Sequence, residues 1–360
     1  MTLSRLQVQA VRNLREVDIS LGVGGNIFVG ENGAGKTSLL EAVHLLGLGR
    51  SFRSGSFKPL IHHEADSCWV AAQVSRGASA FPLGIQRHRS GEVVARRAGA
   101  PIQSLVELAQ SLPIVVLETE GLSLITGPPE LRRRFLDATV FHVEQAFISS
   151  WRAYQRALKQ RNAALRRGTM GAEDVWAQPL VEAGEAVTAS RERLLSAIQD
   201  RFLSVVADLS PALSGVELSL RQGWEHGLGL ADALCKQRES DRQQGFTQSG
   251  PHRADVRVVI NGRPAAEVLS RGQLKVVTAA LRLAQGGVMF QALKEPPVFL
   301  VDDLTAELDA EHAERVCAAL QAVGAQVLMT TVHAEGLRDC WAAAKPQVFH
   351  VEQGAVRQIG

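Results

Sequence analysis

A chain of 360 residues, 46% apolar and 21% charged, has room for two domains, or for one large α/β domain with an insertion, around a substantial core. Its formal net charge of +2 excludes a generally basic molecule, so any surface for a polyanion must be local. Cys68, Cys235, Cys317 and Cys340 lie far apart with no C-x-x-C pair, which argues against a zinc site or a disulfide framework.

In chain order, MTLSRLQVQAVRNL alternates apolar and polar residues instead of forming an apolar block, so no signal peptide is expected. No run approaches the ~18 apolar residues of a membrane span, and a cytoplasmic protein without a membrane partner is expected. Ile27-Phe28-Val29 predicts a short buried strand of a parallel sheet. Gly30-Glu31-Asn32-Gly33-Ala34-Gly35-Lys36-Thr37 follows it and fits G-x-x-x-x-G-K-[ST]. Leu39, Leu40, Val43 and Leu46 then recur at a helical period. In a strand, loop and helix of this kind, glycines let backbone N–H groups converge on phosphate oxygens at a helix N-terminus. Lys36 would reach the β and γ phosphates of a nucleotide, and the Thr37 hydroxyl would ligate Mg2+.

Across residues 130–167, apolar positions 131, 135, 139/140, 143, 147, 151, 154 and 158 predict one long amphipathic helix, opened by Pro128-Pro129 and closed by Gly168. Apolar residues at 180, 184, 187, 194, 198, 202 and 205/206 predict a second helix, ended by Pro211. Joined by GTMGAED, the two make a helical hairpin arm in which Trp151 and Tyr154 are core positions. The first helix carries Arg152, Arg156, Lys159, Arg161, Arg166 and Arg167 with no acid between 150 and 167. The second leans acidic. Two readings follow. The hairpin pairs its own charges, at ~0–1 kcal/mol per exposed pair. Alternatively Arg152, Arg156, Lys159 and Arg161 meet DNA phosphates, without sequence readout. Arg132-Arg133-Arg134 is either a solvated face or a phosphate or interface contact.

Val298-Phe299-Leu300-Val301 predicts a core strand ending in Asp302-Asp303. Asp302 would hold Mg2+ and Asp303 would orient an attacking water as general base, unless the pair only caps the next helix. Residues 326–333 predict a further strand whose end offers Thr331 or His333 to a γ-phosphate, His333 otherwise being a plain surface histidine.

Leu269-Ser270-Arg271-Gly272-Gln273, about 30 residues before that aspartate strand, resembles the signature loop of ABC-type ATPases. The resemblance implies that Ser270, Gly272 and Gln273 bind the nucleotide held by a partner copy. It also makes Ala306-Glu307-Leu308-Asp309 a dimer-interface loop, His333 or Thr331 a switch residue, and the assembly an ATP-dependent homodimer. Nearly end to end, the chain further resembles the RecF family of bacterial recombination-mediator ATPases. The resemblance runs through VRNLREVDISL, GENGAGKTSLLEAVHLLGLGRSFR, GPPELRRRFLD, SGPHRADVRVVINGR, LSRGQ and VDDLTAELD. Thr119-Glu120 stands where that family usually has Pro-Asp, and Arg271 where it often has Gln.

The expected fold is therefore α/β: an ABC-type P-loop ATPase head with a mixed sheet, built from residues 1–120 and 250–360, and a helical arm inserted over 121–249. The resemblance implies a weak ATPase that closes as a homodimer clamp on duplex DNA and at single-strand/duplex junctions. It would act at single-strand gaps and stalled forks, helping load RecA with RecO and RecR, in replication restart and the SOS response. Two other classes fit some of the motifs. One is an ATP-gated DNA scaffold in which hydrolysis is incidental. The other is a transporter nucleotide-binding subunit, which leaves GRSFR and GPHRAD unexplained.

Overall fold

Alternating apolar residues at the N-terminus and continuous apolar runs further on place two kinds of sheet in one unit of the chain. The computed structural model describes residues 1–118, 121–168, 171, 173–333, 337, 340, 341 and 345–359. The chain begins with Thr2–Val11 (β1), Leu14–Ser20 (β2), Gly25–Val29 (β3) and Lys36–Leu48 (α1). Ser67–Arg76 (β4), Ser79–His88 (β5), Val93–Arg97 (β6), Ala100–Pro101 (β7), Leu105–Ser111 (α2) and Ile114–Leu117 (β8) follow. Next come Ser123–Thr126 (α3), Pro129–Val143 (α4), Phe147–Arg167 (α5), Ala177–Leu209 (α6), Val216–Arg221 (β9), Leu230–Lys236 (α7) and Arg238–Gln244 (α8). Then Asp255–Ile260 (β10), Arg263–Pro264 (β11), Ala265–Val268 (α9) and Arg271–Leu293 (α10). The chain closes with Val298–Val301 (β12), Leu304–Glu307 (α11), Ala310–Val323 (α12), Val327–Thr331 (β13), Gln347–Glu352 (β14) and Ala355–Gln358 (β15).

Two units emerge: residues 1–121, 208–211 and 275–360, and residues 122–207 with 212–274. Residues 250–274, expected with the head, group with the second unit. In the first unit, β2-β1-β4-β5-β6-β7 form one six-stranded sheet and β15-β14-β3-β13-β12-β8 another. The second sheet is mixed: β14, β3, β13, β12 and β8 run parallel and only β15 is antiparallel. Parallel strands are covered on both faces, and β12 is accordingly buried throughout. Helix α1 is apolar on nearly every side, with Leu39, Leu40, Ala42, Val43, Leu45 and Leu46 all 0% exposed. A helix of that kind belongs inside, and α1 shares one core with residues of both sheets. Gln326 joins the sheets by polar contacts, accepting from the Leu3 amide at 2.7 Å and donating to the Leu3 and Gly22 carbonyls.

The second unit holds α4, α5, nearly all of α6 and the sheet β11-β10-β9. The expected single helix over 130–167 is broken. Helix α4 stops at Val143 and α5 starts at Phe147, because Glu144 leaves the helical region (φ −122°, ψ 111°) and clamps Arg193 with both carboxylate oxygens at 2.9 and 2.8 Å. Gly168 closes α5 in the left-handed region at φ 67°. The second periodic stretch is one helix, α6, with Leu180, Val187, Leu194, Ile198, Phe202 and Val206 buried. Tyr154 is 1% exposed, while Trp151 is half-buried. Residues 169, 170 and 172 of the expected connection lie outside the described residues, as do Thr119 and Glu120.

Contrary to expectation, one described helix, α10, is long and apolar enough to cross a membrane by length and composition, at mean hydropathy 1.3. Of its apolar window 72% is buried inside the protein, the pattern of a core helix.

Candidate functional site

In a parallel sheet, ligands gather at the carboxyl ends of the strands. The register here aligns three such ends. Val29 of β3 pairs with Thr331 of β13, and Met329 of β13 pairs with Val301 of β12. Gly30, Thr330 and Asp302 therefore come to one edge. Gly30 is required by packing, since a Cβ there would stand 2.1 Å from the Val351 carbonyl oxygen. Gly35 takes φ 118° and turns the loop into α1. No side chain caps that helix end, and its first turn carries no acid. Its leading N–H groups and the positive end of its dipole face the loop.

Asn32, Gly33, Gly35, Lys36 and Thr37 line a cavity of about 540 Å³ with Ser38, Asn13, Phe52, Arg53, Glu118, Asp302, Asp303 and Thr330. Gly30, Glu31 and Ala34 support the loop from behind. The Lys36 ammonium donates to the Gly30 and Glu31 carbonyls at 2.7 and 3.0 Å, and the Ala34 carbonyl accepts from the Gly354 amide at 2.8 Å. Burial lowers the Lys36 pKa, against the opposing pull of Asp303 and Asp302.

The Thr37 hydroxyl lies 2.9 and 3.2 Å from the two Asp302 oxygens. Two adjacent ligands of an octahedral Mg2+ with bonds of ~2.1 Å stand about 3 Å apart, so this pair has the spacing and the hard oxygen donors that the ion takes. Among the described residues no group of three or more His, Cys, Asp and Glu is arranged to hold a metal ion by itself. The donor set thus suits a cation that fills its remaining positions with phosphate and water.

Asp302 also accepts from the Thr330 hydroxyl at 2.7 Å, and that hydroxyl accepts from the Asp303 amide at 2.9 Å. Asp303 occupies the N-cap position of α11, yet its side chain makes no capping bond. The pure capping reading therefore fails for it, whereas Asp309 does cap α12, accepting from the His312 amide at 2.9 Å. The Asp303 carboxylate lines the cavity and accepts no hydrogen bond among the described residues. Burial raises its pKa, Asp302 and Glu307 add to the rise, and Lys36 opposes it.

Thr331 is fully buried. Its hydroxyl meets that of Thr305 at 3.1 Å and donates to the His333 carbonyl at 2.8 Å. His333 is exposed at the end of β13. Ser270, Gly272 and Gln273 are exposed at the start of α10. Ser270 and Gln273 form a reciprocal cap there, the Ser270 amide donating to Gln273 Oε1 at 2.9 Å and the Gln273 amide to Ser270 Oγ at 3.3 Å. In the loop expected at a dimer interface, Glu307 pairs with Lys275 at 2.9 Å.

Arg152, Arg156 and Lys159 are exposed on α5, and none forms an ion pair among the described residues. Arg161 requires correction as a DNA contact. It is 2% exposed and donates to Asp241 and the Thr247 hydroxyl, both at 2.7 Å, so its charge is neutralised inside the unit. Arg132 is likewise internal: it clamps Asp255 at 2.8 and 3.2 Å and donates to the Ile125 and Gly127 carbonyls. Arg133 donates to the Ala254 carbonyl, and Arg134 pairs with Glu130 one turn away.

Sequence reasoning missed Asn13, Phe52, Arg53, Glu118 and Thr330 as cavity residues. Asn13 donates to the Gly33 carbonyl at 3.1 Å and accepts from Ser38 at 2.7 Å. The GRSFR stretch, which a transporter subunit leaves unexplained, contained the signal for two of them, Phe52 and Arg53.

A glycine loop at the carboxyl edge of a parallel sheet, with a threonine and a strand-end aspartate at cation spacing, is the architecture of a P-loop nucleotide-binding head. Residues 2–357 match the model of the RecF/RecN/SMC N terminal domain family. The chain is 43% identical to the DNA replication and repair protein RecF of Stutzerimonas stutzeri (strain A1501), across 100% of this chain and 98% of that one. Identity to the RecF of Pseudomonas aeruginosa (strain LESB58) is 42%, across 99% and 98%. The chain belongs to the RecF family of DNA replication and repair proteins. A solved structure of the recombination mediator protein RecF with ATP shares its fold at a TM-score of 0.88 and 23% identity, covering 99% of this chain and 97% of that one. The Smc head domain of Pyrococcus furiosus follows at 0.56 and 15%, covering 99% and 95%.

Proposed function

We propose that the chain is an ATP-dependent DNA-binding protein of recombinational repair, a homodimer clamp when ATP is bound and a slow ATPase. The observation that carries this reading is the convergence of Lys36, Thr37, Asp302 and Asp303 on one cavity at the uncapped start of α1. Backbone N–H groups from Gly33 to Thr37 hold the phosphates, and the Lys36 ammonium exchanges loop carbonyls for β and γ oxygens. Thr37 and Asp302 would hold Mg2+, which would supply charge to offset the phosphates. Asp303 accepts a proton from the attacking water. His333, exposed where Thr331 is engaged, contacts the γ-phosphate. Ser270, Gly272 and Gln273 of a second copy close over that phosphate, which is why ATP joins two chains.

The exposed basic face of α5 supports contact with DNA phosphates through Arg152, Arg156 and Lys159. Membership of the RecF family, and the assignment of a RecF–ATP structure to the RecFOR pathway, support RecR and RecO as partners. RecA loading at gaps and stalled forks, replication restart and the SOS response follow as roles, in the cytoplasm and without a membrane partner.

Binding of a fluorescent duplex with and without ATP tests the reading. Wild type should bind at least 10-fold more tightly with ATP, and Lys36→Ala should lose that gain. Equal affinity with and without ATP in the wild type would contradict it.

A further inference from the structure

Glu41 lies on α1, one turn beyond the phosphate loop, and is fully buried. A buried carboxylate requires partners, and the partners here come from both segments that flank the cavity. Arg12 clamps it with Nε and Nη2, each at 2.9 Å. The Ser51 hydroxyl donates to the same carboxylate, and Arg53 Nη1 stands 4.0 Å away.

Each partner is itself constrained. Arg12 sits at φ 55°, in the left-handed region, at the tight turn between β1 and β2. A non-glycine residue stays there only when its surroundings hold it, and the Glu41 clamp does so. The next residue, Asn13, thereby reaches Gly33 and Ser38 of the phosphate loop. Ser51, besides donating to Glu41, accepts from the Arg53 and Ser54 amides, both at 3.0 Å, which folds residues 51–54 into a closed turn. His44, also on α1, fixes the same segment by donating from Nδ1 to the Arg50 carbonyl at 2.7 Å. Phe52 and Arg53 thus face the cavity on a segment tied to α1, while the Arg53 side chain itself remains 56% exposed.

Resting on the nucleotide reading above, we propose that Glu41 is a positioning residue. Through Ser51 it presents Arg53 to the bound nucleotide, and through Arg12 it presents Asn13. It touches no phosphate itself. Without it the Arg12 turn and the closed turn at Ser51 would lose their tie to α1, and the half-exposed Arg53 side chain would no longer be held towards the cavity.

A double-mutant cycle on the full-length protein tests this, with KM and kcat for ATP read beside the melting temperature. Arg53→Ala should raise KM at least fivefold with kcat within twofold and an unchanged melting temperature. Ser51→Ala should reproduce most of that rise and Ser51→Thr should reverse it. The double variant should be no worse than Arg53→Ala alone, because one residue acts through the other. Glu41→Gln should move KM in the same direction; should it fail to fold, the Ser51 and Arg53 cycle decides. Additive effects, or an unchanged KM in Ser51→Ala, would overturn the proposal. Wild type that binds no ATP analogue would overturn the nucleotide reading itself, a result distinct from a flat cycle.

Discussion

Asp303 adopts φ 50° and ψ 52°, a conformation that aspartate and asparagine tolerate better than glutamate or alanine. Asp303→Asn is therefore a clean variant: it keeps the backbone and removes the base. It should slow ATP hydrolysis by roughly 10²-fold or more while ATP-dependent DNA binding persists. The raised pKa also fixes the sign of its effect on stability. The folded state keeps this proton to a higher pH than the unfolded chain does, so stability falls as pH rises through the shifted value. At neutral pH the ionised carboxylate is a burden, and Asp303→Asn should melt higher than wild type in calorimetry. A lower melting temperature would show that the Lys36 attraction outweighs burial. Lys36, Thr37, Asp302 and Asp303 were legible in the sequence because each belongs to a local strand-end pattern. Asn13 and Thr330 were not, because a turn between distant strands and a parallel register bring them in.

At the scale of the element, helix propensity and apolar spacing gave α6 well but ran α4 and α5 together. The break depends on Glu144 meeting Arg193, a contact between segments that periodicity does not carry. The same limit applies to Arg161, whose spacing on α5 resembles that of its exposed neighbours while Asp241 sits opposite it. Reversing Arg152, Arg156 and Lys159 to glutamate should weaken DNA binding and reduce its salt slope by ~0.9 for each phosphate no longer neutralised. Arg161→Ala should instead cost about 3–5 kcal/mol in denaturant unfolding, by stranding a buried carboxylate. An unchanged slope in the triple variant would return this helix to a structural role. Buried histidines set the acid limit of these elements. Burial lowers the pKa of His44, His142 and His252 to about 4. His252 donates from Nε2–H to the Thr247 carbonyl at 3.0 Å and accepts from the Tyr154 hydroxyl at Nδ1, and protonation at Nδ1 removes that acceptor. The unfolded chain takes up these protons first, so stability should fall as pH drops from about 6.5 to about 4, by ~1.4 kcal/mol per pH unit for each histidine. Melting curves at pH 7.5 and 5 check this, and His44→Gln should flatten the difference.

For the whole molecule, family membership carries the replication and repair role, and the proposed nucleotide site at the cavity would couple that role to ATP. The signature loop stands exposed at the start of a 23-residue helix, with Ser270 and Gln273 already arranged as a cap. On the proposed reading, Ser270 of a second copy completes the nucleotide site, and ATP should therefore join two chains. Sedimentation velocity at saturating ATP tests it most directly, using Asp303→Asn to prevent turnover. The account predicts a doubling of mass with ATP, abolished by Ser270→Arg although that variant still binds nucleotide. A single-chain mass at saturating ATP, or an undiminished dimer in Ser270→Arg, would contradict it.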